Sequence, residues 1–151
     1  MTMKDNKIML EAMIRHCAVA FEGKFDRAGE PYVLHLLKVM HYLRSEDEEL
    51  RCIAIGHDLF EDTKSTMNDL VRLGISQRVI LGILHLTKMP GENYETYKEK
   101  VKSNPDAVRV KLADLRHNSD IRRLKGVSPK DIERTQRYME FHAELKALID
   151  S

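Results

Sequence analysis

Punctuation constrains this chain more than any other feature of its sequence. Helix starts and helix stops recur at short intervals, and almost nothing between them reads as a strand. Glycine is scarce, at seven residues, and no β-branched alternation is sustained. The pattern predicts an all-α fold: a compact, irregular bundle of about seven or eight helices joined by short loops.

The first helix is expected from about Asn6 to Phe21. Gly23 and Gly29 then bracket a polar loop, and Pro31 suits the first turn of a helix over Tyr32 to Leu43. Ser45 with Glu48 reads as a capping box opening a third helix, which carries Ile53, Ile55 and the polar residues that follow. Thr66 caps a short helix that Gly74 stops, and Ser76 caps Gln77 to Lys88 before Pro90-Gly91. A helix near Tyr94 to Val101 ends at Asn104-Pro105. A long one follows from about Asp106 to Leu124, with Gly126 beyond it. Ser128-Pro129 opens the last, with Asp131 in its first turn, to about Ile149.

Length and charge bound the rest. At 151 residues the chain is most simply one domain over 1–151, large enough to bury a real core. Its 25 basic and 24 acidic residues leave a formal charge of +1, so no global field draws it to nucleic acid or to a membrane. No cleavable leader and no run long enough to span a bilayer are read at this stage. Cys17 and Cys52 fall on apolar helix faces, where reduced, buried thiols are expected, as in a cytoplasmic protein. Nothing indicates a homo-oligomer.

Chemistry concentrates in His57-Asp58-Leu59-Phe60-Glu61-Asp62, at the end of an apolar stretch. Such a cluster is costly beside a core unless something cationic sits on it. Glu61 lies four residues after His57, and Asp62 four after Asp58, so helical spacing puts each pair on one face. Asp114 and Asn118 share that spacing, with His117 beside them. His35 interrupts a leucine-rich helix, an odd position unless its ring has a partner. His35, His57, Asp58 and Asp114 therefore offer two imidazoles and two carboxylates from three helices, a mixed N/O set suited to a divalent ion such as manganese, iron or zinc. His16, His41, His85 and His142 fit no such set.

Three stretches, taken in order, resemble the signatures of the RelA/SpoT-type HD hydrolase domain. They are Gly29-Glu30-Pro31-Tyr32-x-x-His35, His57-Asp58-x-x-Glu61-Asp62-Thr63 and Lys111-Leu112-Ala113-Asp114-x-x-His117-Asn118. The chain is similar to the stand-alone small alarmone hydrolases over roughly residues 10–145. The resemblance implies that His35, His57, Asp58 and Asp114 ligate one ion, usually manganese, with iron, zinc or magnesium as other candidates. It implies that Glu61 and Asp62 orient water and shuttle protons. The implied reaction removes the 3′-diphosphate of ppGpp or pppGpp as pyrophosphate. Asn118 matches a residue at the nucleotide's sugar, and Arg27 a basic position near base or phosphates. Lys111 serves either phosphate charge or an ion pair. Arg134 and Tyr138, with Arg137 beside them, border the nucleotide or else form a solvated helix face.

Two positions depart from the pattern. Asp26 stands where an arginine that stacks on the purine is common, and a carboxylate cannot stack, which opens the choice of base. Leu36 replaces a proline, a harmless change in a helix. Two other functions share the same residues. One is a nucleotide phosphomonoesterase of the HD type, which would release orthophosphate. The other is a nucleotide-binding module that does not catalyse.

Overall fold

The computed structural model describes residues 2–151. In chain order it has α1 (Met3–Ala20), α2 (Tyr32–Leu43), α3 (Glu48–Gly56), α4 (Leu59–Asp62), α5 (Met67–Arg72), α6 (Gln77–His85), α7 (Tyr94–Lys102) and α8 (Pro105–Asn118). A 3-10 turn (Ile121–Arg123) and α9 (Pro129–Asp150) complete it. Eight helices are longer than one turn, and α4 is a single turn. The described residues hold no strand; the one isolated bridge, Phe25 to Pro31, closes the loop before α2.

The caps explain most of these boundaries. Thr66 and Ser128 each close a capping box, with Asp69 and Asp131, and Ser76 accepts the Val79 N–H. Four expectations need correction. Asp47, not Ser45, caps α3, accepting the Leu50 N–H at 3.2 Å, while Ser45 Oγ accepts the Asp47 N–H. The third helix does not carry the polar cluster as continuous helix, because it ends at Gly56. The sixth helix ends at His85, not Lys88. The long helix stops at Asn118, because Asp120 turns its carboxylate back onto the Arg122 N–H and starts a 3-10 turn.

α3 is the central helix. Leu50, Cys52, Ile53, Ala54, Ile55 and Gly56 are all buried, and α1, α2, α6 and α8 pack around them. Cys17 and Cys52 are buried free thiols whose pKa values burial pushes up to about 12, so neither is a ready nucleophile. Contact between α3 and α6 is closest at Gly82, where a Cβ would lie 2.5 Å from Ile53 Cδ1 and 2.9 Å from Cγ1. Alanine there gains about 1 kcal/mol of helix propensity, but Ile53 is fully buried and has nowhere to swing. Gly82→Ala is expected to destabilise by roughly 1–3 kcal/mol. Trimming the neighbour (Gly82→Ala with Ile53→Val) should restore part of the loss in urea titrations, as coupled contacts do.

Candidate active site

The site begins at the break in α3. Gly56 packs so tightly that a Cβ would meet Ile83 Cδ1 at 2.9 Å and Met13 Sδ at 3.3 Å. The chain then leaves the helix: Asp58 has φ −104° and ψ 3°, outside helical values, before α4 resumes. His57 and Asp58 thus sit on a turn, not on a continuous face. His57 Nδ1 lies 2.7 Å from the Ala54 carbonyl, which only accepts, so Nδ1 carries a proton and Nε2 faces the carboxylates. That Nε2 is 3.1 Å from Asp58 Oδ2 and 3.2 Å from Asp114 Oδ1.

α2 brings His35 to the same point. Its Nδ1 is 2.7 Å from Nδ1 of His117, and only one of the two can carry the proton. Burial, then Arg123 and His35, push the His117 pKa down to about 4, so His117 stays neutral and one proton is shared between the two facing nitrogens. His35 Nε2 points to the carboxylates. It is buried without a hydrogen-bond partner, although Asp114 Oδ1 lies 3.0 Å away. Two such atoms so close, without hydrogen-bond geometry between them, are spaced as two ligands of one cation would be. Neighbouring ligands with bonds of about 2.0–2.2 Å at right angles would be about 3 Å apart. The wider 3.9 Å between His35 Nε2 and Asp58 Oδ2 suits a more open angle at the same ion. The donor set fits a divalent metal on these observations.

The same groups hold one another electrostatically. Burial alone would lower the His57 pKa, but the Asp58 and Asp114 carboxylates raise it well above the usual imidazole value. Asp114 is held well below the usual carboxylate range against its burial, by Lys111 and His57. Tyr32 Oη donates to Asp58 Oδ2, and Asn118 Nδ2 donates to Asp114 Oδ1 at 3.0 Å. Each carboxylate is therefore oriented by a donor, the arrangement that fixes metal ligands.

Glu61 and Asp62 stand on α4 above these four residues, and their oxygens lie within 4.8 Å of an Asp58 oxygen and of each other. Burial, then Asp58 and Glu61, raise the Asp62 pKa to about 6. Glu61 is raised as well, by burial and, after it, by Asp58. Its Oε1 accepts the backbone N–H of Lys88 at 2.5 Å. Lys100 Nζ braces the 87–92 loop, donating to the Thr87 carbonyl at 2.7 Å and to Glu92 at 2.9 Å.

A cavity of about 460 Å³ opens over this floor, and Arg27, Lys111, Asn118, Arg134 and Tyr138 all line it. Lys111 Nζ donates to Asp114 Oδ2 at 2.9 Å, so its ion-pair role is visible in the structure. Arg134 is tethered to Asp131 at 2.8 Å and Tyr138 packs against the core. Sequence reasoning missed Tyr32, the Lys88 amide and Arg123. Tyr32 had a signal: it precedes His35 by three residues, and so shares its helix face. Lys88 and Arg123 had none short of the fold.

Asp26 is not a free carboxylate facing a base. Oδ1 accepts the Ala28 and Glu30 N–H groups at 2.9 and 3.0 Å, and Oδ2 accepts Arg123 Nη2 at 2.7 Å. Arg123 Nη1 also donates to the His117 carbonyl. Asp26 therefore holds the turn that Gly29 closes at φ +84°, and pins Arg123 in the cavity wall. Asp26→Arg is expected to destabilise by roughly 2 kcal/mol or more, since it unpairs Arg123 and sets a second cation beside it. It should raise KM. The charge-swapped double variant, Asp26→Arg with Arg123→Asp, should recover part of the melting temperature; no recovery would refute the pairing.

The fold is of the all-helical HD-domain type, and at a helix break it brings His57-Asp58 together with His35 and Asp114 from two other helices. Within that class the chain is homologous, over most of its length, to (p)ppGpp synthase/hydrolase proteins. It is 28% identical over 130 residues to the bifunctional (p)ppGpp synthase/hydrolase SpoT of Escherichia coli K12, covering 78% of this chain and 18% of that protein. It is 30% identical over 139 residues to the GTP pyrophosphokinase rsh of Brucella ovis, covering 83% and 17%. A probable guanosine-3′,5′-bis(diphosphate) 3′-pyrophosphohydrolase of Synechocystis is 27% identical over 148 residues, covering 84% and 19%. The chain thus spans less than a fifth of the length of these curated relatives. No family model matches it. Among solved structures, a metazoan ortholog of SpoT described as hydrolysing ppGpp superposes with a TM-score of 0.76 at 19% identity, covering 91% of this chain and 84% of that one. That likeness establishes the fold.

Proposed function

We propose that the protein is a divalent-metal-dependent hydrolase that removes the 3′-diphosphate of guanosine 3′,5′-bis(diphosphate), or of a related nucleotide, as pyrophosphate. One observation carries the reading. Two imidazole Nε2 atoms and two carboxylates converge beside Glu61 and Asp62, beneath a cavity walled by Arg27, Arg123 and Arg134. The names of the homologues support the choice of substrate. His35, His57, Asp58 and Asp114 would hold the ion. Manganese is our choice, since mixed imidazole and carboxylate donors suit it. We take residues 1–151 as one catalytic domain and the cytoplasm as its compartment. Two buried free thiols support the latter, and no described helix is long and apolar enough to cross a membrane.

A divalent ion, when bound, supplies Lewis acidity and lowers the pKa of water. The residues do the rest. Glu61, held by the Lys88 amide, takes one proton from the attacking water at its carboxylate as the water oxygen bonds to the phosphorus nearest the ribose. The P–O3′ bond breaks, and Asp62, which holds a proton more readily than an ordinary aspartate, delivers one to O3′. Pyrophosphate and a 3′-hydroxyl nucleotide result, and the two carboxyls exchange their proton to reset. Arg27 and Arg134 answer phosphate charge, Asn118 meets the sugar, and Tyr138 packs on sugar or base.

Purified protein with Mn²⁺ should release pyrophosphate from ppGpp, with products identified by anion-exchange chromatography. Silence across ppGpp, pppGpp and ppApp sinks the proposal. Orthophosphate as the product would establish a phosphomonoesterase in its place.

A further inference from the structure

We propose that the opposite side of α8 carries a second anion site, separate from the cavity over His35 and Asp58, which takes a small phosphate-bearing molecule. It is a depression of about 270 Å³ between α2, α8 and α9 that shares no lining residue with the catalytic cavity. Arg109 and Arg116 reach it from α8, His142 and Lys146 from α9, and none of its lining residues is acidic.

Several basic side chains between elements elsewhere are answered by carboxylates. Arg78 meets Asp47 and Asp106, Lys98 meets Glu144, and Arg123 meets Asp26. Here they are not. Arg109 and Arg116 have no ion pair among the described residues. Lys146 reaches only Asp150, at 3.8 Å, with both side chains more than half exposed. His142 and Lys146 are four apart on one helix, where like charges repel. The His142 pKa is lowered by burial, then by Lys146 and Arg116, the mark of an unanswered positive field.

Arg116 is also preset for recognition. Its guanidinium lies 4.1 Å from the centre of the Tyr42 ring, and Lys38 Nζ is 5.1 Å from the same ring. Held against the ring, the guanidinium has less freedom to lose, while its N–H edge stays available to phosphate oxygens. Leu112 and Ala113 give the depression an apolar floor. Its size suits one phosphate or diphosphate group and not an extended polynucleotide, which needs a long basic stripe. An anion seated there bridges α8 to α9. It sits behind the helix that carries Asp114 and against Tyr42, whose ring meets His117 edge-on with centroids 5.9 Å apart.

The test is a pyrophosphate titration of the ¹⁵N-labelled protein in EDTA, followed by NMR. Signals of Arg109, Arg116, His142 and Lys146 should shift together, apart from those of Asn118 and Tyr138 in the catalytic cavity. Arg109→Gln with Arg116→Gln should weaken the first response at least tenfold and leave the second unchanged. His142→Gln with Lys146→Gln gives the same readout if the first pair fails to fold. Shifts confined to the catalytic cavity, or an unchanged affinity in the variants, overturn the proposal. So does a single-stranded RNA oligonucleotide that binds this face and is not displaced by pyrophosphate, which would make it a nucleic-acid surface.

Discussion

Asp58→Ala is expected to cost the protein its divalent ion and its turnover together, with the fold intact. Asp58 makes no helix-capping bond; it leaves behind the Tyr32 hydroxyl, which is near enough to the cavity to find water, and His57, which keeps Asp114 at 3.2 Å. Metal catalysis of this kind is worth several kcal/mol, which at about 1.4 kcal/mol per decade is a fall of roughly 10³ or more in kcat. Asp114→Ala should behave differently. Its carboxylate answers Lys111, His35, His57 and Asn118 at once, and Lys111 lies in the same buried pocket. Removing one partner of a buried ion pair costs about 3–5 kcal/mol, so this variant should lose metal and also unfold at markedly lower urea. Metal content by mass spectrometry and urea midpoints separate the two. A fully metallated, active Asp58→Ala protein would remove Asp58 from the ligand set.

The proposed ligand quartet, which the fold brings together, was legible because its chemistry is local. A histidine in a leucine-rich helix, a His-Asp pair ending an apolar run and an aspartate spaced from an asparagine are all visible in one dimension. Helix starts were legible too, where a hydroxyl or Asn/Asp side chain precedes the first turn. Stops were less so. Ser119-Asp120 read as mid-helix because Ile121, Arg122 and Leu124 continue an acceptable helical pattern. A side-chain bond from Asp120 to a backbone two residues on outweighed it. The break before Asp58 had one signal, Gly56, and its cause is tertiary: Ile83 and Met13 leave no room for a side chain. What orients the ligands was largely invisible, since the Ala54 carbonyl and the Lys88 amide are backbone groups that only the fold delivers. At Asp26 the fold adds a role that residue type does not show. Its residue type was read as a missing arginine, whereas the turn and Arg123 use every acceptor it has.

Glu61→Gln should retain the ion and lose turnover, and the loop contact makes this substitution more telling than alanine. Glu61 is positioned by accepting one hydrogen bond, from the Lys88 amide to Oε1. A glutamine carbonyl accepts the same bond, so the side chain keeps its place while losing the basicity that takes a proton from water. General-base catalysis typically contributes 10²–10⁴-fold, and kcat should fall by about that factor with KM and metal content little changed. Glu61→Ala removes position and basicity together and should fall at least as far. Loosening the brace tests position alone. Lys100→Met frees the loop from Thr87 and Glu92 but leaves the carboxylate in the site. Its kcat loss should be smaller than that of Glu61→Gln, and should vanish in the Glu61→Ala background, where there is no carboxylate left to position. If Glu61→Gln turns over like the parent protein, Glu61 does not handle the proton, and Asp62 must supply both transfers.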